Sequence, residues 1–241
     1  MSIIVRLLTA VLTLLALPSP AAAQWYLGAY LGGNTTTSSG VTIDQPATGT
    51  AVTFEDVHFA AEPLKSPQYY GYRFGRMFGA ERRLGIEFEF IHLKVISDTS
   101  RTYALTGSIG GEPAPDDLRM DALVPRYSMT HGLNFLLVNV VSRTPLGGGP
   151  LALVARAGAG PTLPHAETTV GILTQEQYEY AGMGAHGAAG LDVRIRGRFS
   201  ALIEYKLTIA RPEISIPLGG TGRTTAISHQ IALGLAFGHS R

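Results

Sequence analysis

The sequence predicts an all-β protein that forms an eight-stranded antiparallel up-and-down transmembrane β-barrel with short periplasmic turns and long extracellular loops. Three observations predict this fold class: the chain begins with an export leader, eight later segments alternate with a period of two residues, and their connections alternate between short and long. The leader places the domain beyond the inner membrane, and the other two observations give its architecture.

The first 23 residues have the features of a secretory signal peptide. Arg6 lies near the front, an apolar run covers residues 7–17, and three alanines end the segment at Ala23. The run is too short for a membrane-spanning helix, and small residues before the cleavage point suit a signal peptidase. The predicted division of the chain is a signal peptide over residues 1–23 and one outer-membrane β-barrel domain over residues 24–241.

The composition limits the classes of function. The chain has no cysteine, which excludes disulfides, thiolate metal sites and cysteine nucleophiles. Its formal net charge of +1 gives no electrostatic case for a nucleic-acid partner. After the leader, no apolar run reaches the length of a membrane-spanning helix. Such an exported chain can be integral in a membrane only as a closed barrel, which leaves no sheet edge in the lipid.

Eight segments are predicted to be strands. They cover residues 25–34, 68–78, 83–95, 129–143, 151–165, 178–194, 199–211 and 225–238. The connections at residues 35–67, 96–128, 166–177 and 212–224 are long, and those at residues 79–82, 144–150 and 195–198 are short. Outer-membrane barrels show this alternation together with an even number of strands. A soluble barrel of the lipocalin type is the alternative, but its loops need not alternate in length.

Alternation within the strands assigns their two faces. In the third segment, Phe88 and Phe90 share one side, whereas Glu87 and Glu89 share the other. In a membrane barrel the apolar side faces lipid and the small or charged side faces the lumen, and a soluble barrel would reverse this. The long loops are rich in Thr, Ser, Gly and Pro, so we expect them to be mobile.

Charges of both signs fall on the predicted inner face. They are Arg73, Glu87, Glu89, Arg156, Asp192, Arg194, Glu204 and Lys206. A barrel of eight strands has room only for packed side chains. A network of ion pairs that plugs the lumen is therefore favoured over a proton path or a small pore.

Four histidines are predicted to lie near the extracellular rim. They are His92, His131, His165 and His229. The first three lie on adjacent strands and are expected to face lipid, at the depth of the outer-leaflet headgroups. His131 lies two and four residues before Leu133 and Phe135, so in a regular strand all three share one side, which we expect to face lipid.

A histidine and a carboxylate that lie close together can act as a general base or hold a divalent ion. Glu167 follows His165 by two residues and supplies the carboxylate. The candidate catalytic residues are therefore His92, His131, His165 and Glu167, and the candidate metal ligands are the three histidines. The alternative interpretation is that rim histidines are amphipathic interface residues, like Tyr and Trp.

Short segments over most of the mature chain resemble outer-membrane barrels of the porin-opacity type. The resemblance begins at Trp25-Tyr26-Leu27-Gly28 and ends at Leu233-Gly234-Leu235-Ala236-Phe237. Internal segments are similar to one branch of that group, the lipid A oxidase-like proteins of alphaproteobacteria. They are Tyr69-Tyr70-Gly71-Tyr72-Arg73, Phe90-Ile91-His92-Leu93-Lys94-Val95, His131-Gly132-Leu133-Asn134-Phe135, Gly158-Ala159-Gly160, Pro164-His165-Ala166-Glu167 and Glu204-Tyr205-Lys206. The branch implies oxygen-dependent oxidation of the proximal glucosamine of lipid A to an aminogluconate unit, and it carries over no catalytic residue.

The leading hypothesis is an integral outer-membrane enzyme, a lipid A oxidase, that acts as a monomer on lipopolysaccharide in the outer leaflet. Its cofactor would be a divalent metal ion and its co-substrate molecular oxygen, and no residue beyond the metal ligands is assigned to a cofactor. The alternative is a non-catalytic, opacity- or adhesin-like barrel whose extracellular loops bind a partner. A purely structural barrel that stabilises the envelope is the third possibility.

Overall fold

The computed structural model describes residues 24–60, 62 and 65–238, so the predicted signal peptide lies outside the described residues. The strands, numbered in chain order, are β1 (Gln24–Thr36), β2 (Ser39–Gln45), β3 (Thr50–Val57), β4 (Phe59–Ala60), β5 (Tyr69–Phe78), β6 (Leu84–Ser97), β7 (Thr102–Ile109), β8 (Glu112–Pro113), β9 (Asp117–Arg119), β10 (Arg126–Pro145), β11 (Leu151–Pro161), β12 (His165–Val170), β13 (Leu173–Tyr178), β14 (Met183–Arg196), β15 (Phe199–Ala210), β16 (Glu213–Ile216), β17 (Gly220–Thr224) and β18 (Ala226–Phe237). Short 3-10 turns cover Pro46–Thr48, Met120–Ala122 and Pro217–Gly219.

Eight of the strands close an antiparallel barrel, which confirms the predicted fold class. Their order is β1, β5, β6, β10, β11, β14, β15 and β18, and β18 pairs back onto β1. Two predicted boundaries are wrong: the fifth strand ends at Pro161 and not at His165, and the sixth begins at Met183 and not at Tyr178. The reason is that His165 and Tyr178 belong to a separate hairpin, β12–β13, in which they pair with each other.

The long connections are folded and are not the mobile loops that their composition predicts. Strands β16, β17, β2, β3, β7 and β8 form a second antiparallel sheet, with β9 on β7, and the β12–β13 hairpin extends the edge of β10. Their apolar residues alternate with Thr and Ser and are buried, as at Val41, Ile43 and Phe54. We call the part formed by β2–β4, β7–β9, β12–β13 and β16–β17 the crown. Its core is continuous with apolar residues at the same end of the barrel, including Leu133 and Phe135.

The outer wall of the barrel is an apolar band. Large hydrophobic side chains exposed along it include Leu27, Leu31, Phe74, Phe88, Leu136, Val138, Leu191, Ile203, Leu207, Ile231, Leu233 and Leu235. A continuous apolar band of this kind requires a membrane. In the described part of the chain, no helix has the length and hydrophobicity to span a bilayer. The chain is an outer-membrane β-barrel protein whose short turns and crown lie at opposite ends.

The lumen is filled by a buried ion-pair network, as predicted, although Arg194 is only half-buried and forms no ion pair with another described residue. Glu89 accepts a hydrogen bond from Arg73 Nε at 2.8 Å and another from Lys206. Glu204 lies between Arg73 and Arg156 and pairs with both. Asn139 donates to Glu87 at 2.8 Å and to Glu89 at 2.7 Å. Asp192, predicted to lie in the same lumen, is buried and pairs with Arg143 at 3.4 Å.

Candidate functional site

The three candidate histidines lie on neighbouring elements at the crown end of the barrel, where His131 is exposed and His92 is buried beneath Tyr70. His92 lies on β6, His131 on β10 and His165 on β12, and β10 pairs with both other strands. His229 lies elsewhere on the rim, where its Nδ1 is 2.6 Å from the hydroxyl of Tyr205. The structure therefore separates His229 from the other three.

A β-bulge in β10 determines the orientation of His131. The register between β6 and β10 shifts between Met129 and Leu133, and Gly132 within the shift has φ of +103°. Below the bulge, Leu133 and Phe135 point inward and are fully buried, so the expectation that they face lipid is wrong. The bulge changes the alternation, and His131 therefore faces outward although Leu133 does not.

His131 and His165 converge on the carboxylate of Glu167. The Nδ1 of His131 lies 2.7 Å from Glu167 Oε1, and the Nδ1 of His165 lies 3.3 Å from the same oxygen. The two imidazole rings meet edge to face, with their centroids 4.9 Å apart. One ligand atom from each of these three residues lies within 4.8 Å of the other two. We call His131, His165 and Glu167 the rim triad.

The rim triad is open to the outside on one side only. The side chain of His131 is 60% exposed, whereas that of Glu167 is 1% exposed. The other carboxylate oxygen of Glu167 forms an ion pair with Arg126, and Thr130 donates a hydrogen bond to Oε1. Burial, and then the positive charge of a protonated His131, lower the pKa of His165. His165 therefore stays neutral at a lower pH than a free histidine, which is the form that binds a metal.

The chemistry of the rim triad fits a divalent transition metal. Two imidazoles and one carboxylate with open positions form the ligand set of non-haem iron(II) oxygenases, and imidazole ligands also suit zinc and copper. Arg126 now neutralises Glu167, but its guanidinium also lies 3.2 Å from Glu176. The arginine thus has a second carboxylate to pair with when Glu167 binds a cation.

His92 lies beside the rim triad but takes no part in it. Its Nδ1 is 2.9 Å from Asn134 Oδ1, and Asn134 Nδ2 donates to the carbonyl of Leu163 at 3.0 Å. Because that carbonyl can only accept, the amide oxygen of Asn134 must face His92, and His92 must donate from Nδ1. This leaves Nε2 as the unprotonated nitrogen, and it is buried with no hydrogen-bond partner among the described residues. Tyr70 stacks on the ring, with centroids 4.7 Å apart.

Three residues that support the site were not among the predicted candidates: Asn134, Thr130 and Arg126. Asn134 lies within the segment 131–135 that carries the family resemblance, which is the one signal that could have found it. Thr130 and Arg126 contact Glu167 only because the β12–β13 hairpin folds back along β10. The sequence carries no local sign of that pairing.

A groove on the lipid-facing wall begins just below the site. It has a volume of about 520 Å³ and lies across β5, β6 and β10. Its apolar lining includes Tyr72, Phe74, Phe88, Phe90, Leu136 and Val138. Phe90 pairs with Leu136, two residues nearer the membrane centre than the pair formed by His92 and Asn134. The polar site and the apolar groove are therefore stacked along the same strands.

No family model and no curated protein sequence matches the chain. Several solved outer-membrane structures align with most of it. The outer membrane protein OprG from Pseudomonas aeruginosa is 11% identical over 92% of this chain and 99% of that chain, with a TM-score of 0.44. Neisserial surface protein A is 8% identical over 89% and 97%, with a TM-score of 0.42. The outer membrane protease OmpT from Escherichia coli is 7% identical over 93% and 99%, with a TM-score of 0.41. This likeness is one of fold alone.

Proposed function

We propose that this barrel modifies lipid A in the outer leaflet by oxygen-dependent oxidation of the proximal glucosamine. The observation that carries the proposal is the convergence of His131, His165 and Glu167 on the outer wall at the crown end. Lipid A lies in the outer leaflet, so an enzyme that acts on it needs polar groups on the barrel exterior near that rim. A site in the lumen could not reach the lipid, because the lumen is filled.

His131, His165 and Glu167 would hold the metal in this proposal, and a redox-active ion such as iron(II) would supply the chemistry that activates oxygen. The ligand set differs from the one predicted from the sequence, because Glu167 takes the place of His92. Thr130 and Arg126 would orient the carboxylate from outside the ligand set.

The apolar groove below the site suits the acyl part of the substrate. Its lining is aromatic and aliphatic, and it lies within the lipid-facing band. An acyl chain in the groove would hold the sugar at the level of the rim triad. Positioning of this kind supplies much of the rate enhancement when an enzyme acts on a lipid that diffuses freely in the bilayer.

His92 is the proposed proton acceptor. Its tautomer is set by Asn134, so Nε2 carries the lone pair that a base requires. Tyr70 is half-buried over the ring and must swing aside for the sugar to reach Nε2. In the proposed reaction the anomeric carbon loses its hydrogen and the proton of its hydroxyl, and two electrons pass to O2, which becomes hydrogen peroxide. Water then opens the resulting lactone to the aminogluconate, so the product gains one oxygen atom.

The direct test is mass spectrometry of lipid A from otherwise identical cells with and without this protein, grown in air. We expect a gain in mass of one oxygen atom on the proximal sugar when the wild-type protein is present. The variants His131→Ala, His165→Ala and Glu167→Gln should each abolish the product while the barrel still folds. His229→Ala is the matched control, because it removes another rim histidine outside the site. Unchanged lipid A with the wild-type protein, or full product from the triple variant, would refute the proposal.

Metal binding gives a second readout that does not depend on activity. Titration of the purified protein with Co²⁺ should show one bound equivalent with ligand-field absorption. Loss of an outer-shell partner lowers metal affinity by about 10- to 100-fold, so loss of the Glu167 carboxylate should lower it by more than about 100-fold. Equal affinity in Glu167→Gln and in wild type would exclude the rim triad as the metal site.

The folded sheet of the crown supports a second candidate function, in which a non-catalytic barrel binds a partner. Its sheet presents an exposed polar face, with a groove between Thr42, Arg211 and Glu213. Truncating residues 35–67 or 96–128 would remove buried core residues such as Phe54, so a deletion cannot test this function alone. Exchanging Arg211 and Arg223 for Gln changes the exposed face and leaves the core intact. Adhesion to host cells or to other envelope components that is lost in this variant, but kept in His131→Ala, would favour the binding function.

A further inference from the structure

The turn between β14 and β15, at the end of the barrel opposite the crown, carries two exposed arginines. Arg196 and Arg198 flank Gly197, whose φ of +56° makes the tight reversal possible. The turn is anchored, since Gly238 N donates to the carbonyl of Arg198 at 2.9 Å. The register between β14 and β15 shifts between Arg194 and Arg196, so an irregularity of the strand lies directly before the turn.

Two other arginines on the same rim are neutralised by acids of the chain. Arg83 pairs with Glu81 at 2.8 Å, and Arg143 pairs with Asp192 at 3.4 Å. Neither Arg196 nor Arg198 forms an ion pair with any other described residue. Within the described part of the chain, no acid neutralises their positive charge.

The membrane side of the turn is apolar and aromatic. Ile195 is 63% exposed, Phe199 is 56% exposed and Phe237 is 44% exposed, and the two phenyl rings pack with centroids 4.8 Å apart. The guanidinium carbon of Arg198 lies 5.3 Å from the centroid of Phe237. Exposed aromatic rings favour the interface between hydrocarbon and headgroups, which would place the guanidinium at the depth of lipid phosphates.

We propose that this turn is a binding site for an anionic phospholipid of the inner leaflet. Arg196 and Arg198 bind its phosphate, and its acyl chains lie on Phe199, Phe237 and Ile195. Guanidinium groups suit this role because they bind phosphate in a bidentate manner and can stack on an aromatic ring at the same time. A lipid is favoured over a cell-wall polymer because the apolar residues continue directly from the arginines into the lipid-facing band.

The test uses the intact barrel in nanodiscs that contain equal amounts of palmitoyl-oleoyl phosphatidylglycerol and the phosphatidylcholine with the same chains. Native mass spectrometry then counts the lipids that each variant retains. We expect wild-type protein to retain phosphatidylglycerol in preference to phosphatidylcholine. In R196Q/R198Q the ratio of the two retained lipids should fall by about 25-fold, about fivefold for each arginine. R83Q is the matched control on the same rim and should behave as wild type, because Glu81 already neutralises Arg83.

Three outcomes would overturn the site, and a fourth would overturn only its bidentate geometry. Equal retention of the two lipids by wild-type protein, or an unchanged preference in R196Q/R198Q, would show that the turn binds no anionic lipid. Displacement of the retained phosphatidylglycerol by a soluble muropeptide would assign the arginines to a cell-wall partner. Full recovery of the preference in R196K/R198K would refute the bidentate geometry. Circular dichroism of each variant checks that the barrel is intact.

Discussion

Gly132 is the residue that allows His92 and Asn134 to meet. A Cβ at this position would lie 2.3 Å from His92 Nδ1 and 2.6 Å from Asn134 Oδ1. The φ of +103° is also one that residues other than glycine rarely adopt. Steric space and backbone conformation therefore both require glycine at the bulge.

The substitution Gly132→Ala should push His92 away from Asn134. We expect loss of the fixed Nδ1–H tautomer of His92, loss of lipid A oxidation, and a decrease of about 1–3 kcal/mol in the free energy of unfolding because of the strained φ. Nitrogen-15 NMR of labelled histidines in micelles reports the tautomer. Gly187→Ala is the control, since a Cβ there meets nothing within 4 Å. An unchanged His92 spectrum in Gly132→Ala would contradict the role given to the glycine.

The sequence selects the candidate residues of the proposed site but not their arrangement. Histidine and glutamate are chemically distinctive, so His131, His165 and Glu167 could be selected by type and by predicted depth. Their grouping depends on the bulge around Gly132, where β10 advances four residues, from Met129 to Leu133, while β6 advances two, and the side-chain alternation changes. Alternation alone placed Leu133 and Phe135 on the wrong face for this reason. Asn134 has no reactivity of its own and becomes relevant only through its contact with His92.

Among the elements, the barrel strands were predictable and the crown was not. A strand in the membrane alternates between lipid and lumen along its whole length, and this pattern is strong. The crown strands are short, and their buried residues are separated by Thr, Ser and Gly, as in Val41-Thr42-Ile43. A composition rich in polar residues hides this alternation. The crown positions half of the site, because β12 carries both His165 and Glu167.

The crown should therefore resist proteolysis in the folded protein. Phe54 on β3 is fully buried in the core of the crown, and Glu55 beside it is exposed. Phe54→Ala removes packing worth about 3–5 kcal/mol and should open the crown to trypsin at Arg101 and Arg119. The barrel should keep its circular dichroism spectrum, and Glu55→Ala should stay resistant. Rapid cleavage of wild-type protein at these arginines would restore the expectation of mobile loops.

In the molecule as a whole, charge is balanced in the lumen and unbalanced at the end with the short turns. The lumen pairs Arg73, Arg156 and Lys206 with Glu87, Glu89 and Glu204. The end with the short turns carries Arg76, Arg82, Arg83, Arg143, Arg194, Arg196 and Arg198, with Glu81 and Asp192 as its acids. Positive and negative side chains must balance in the lumen, where no water screens them. An excess of positive charge can persist at the end with the short turns if an anionic surface neutralises it.

The buried network makes a quantitative prediction about stability. Glu204→Gln leaves the lumen with one excess positive charge, and breaking a buried pair in this way costs about 3–5 kcal/mol of unfolding free energy. Glu81→Gln breaks a pair whose side chains are 72% and 60% exposed, and should change that free energy by less than about 1 kcal/mol. Emission from Trp25, the single tryptophan, during guanidinium unfolding in micelles measures both variants.

Adding Lys206→Gln to Glu204→Gln separates charge balance from loss of contacts. Lys206 Nζ lies 3.8 Å from Glu204, and the double variant restores neutrality in the lumen. If uncompensated charge causes the loss of stability, the double variant should be more stable than Glu204→Gln alone, although it has lost more contacts. If the decreases in unfolding free energy caused by the two substitutions simply add in the double variant, then the hydrogen bonds of each residue, and not the net charge, stabilise the filled lumen. Either variant should still close the barrel, because the pairing between strands does not involve these side chains.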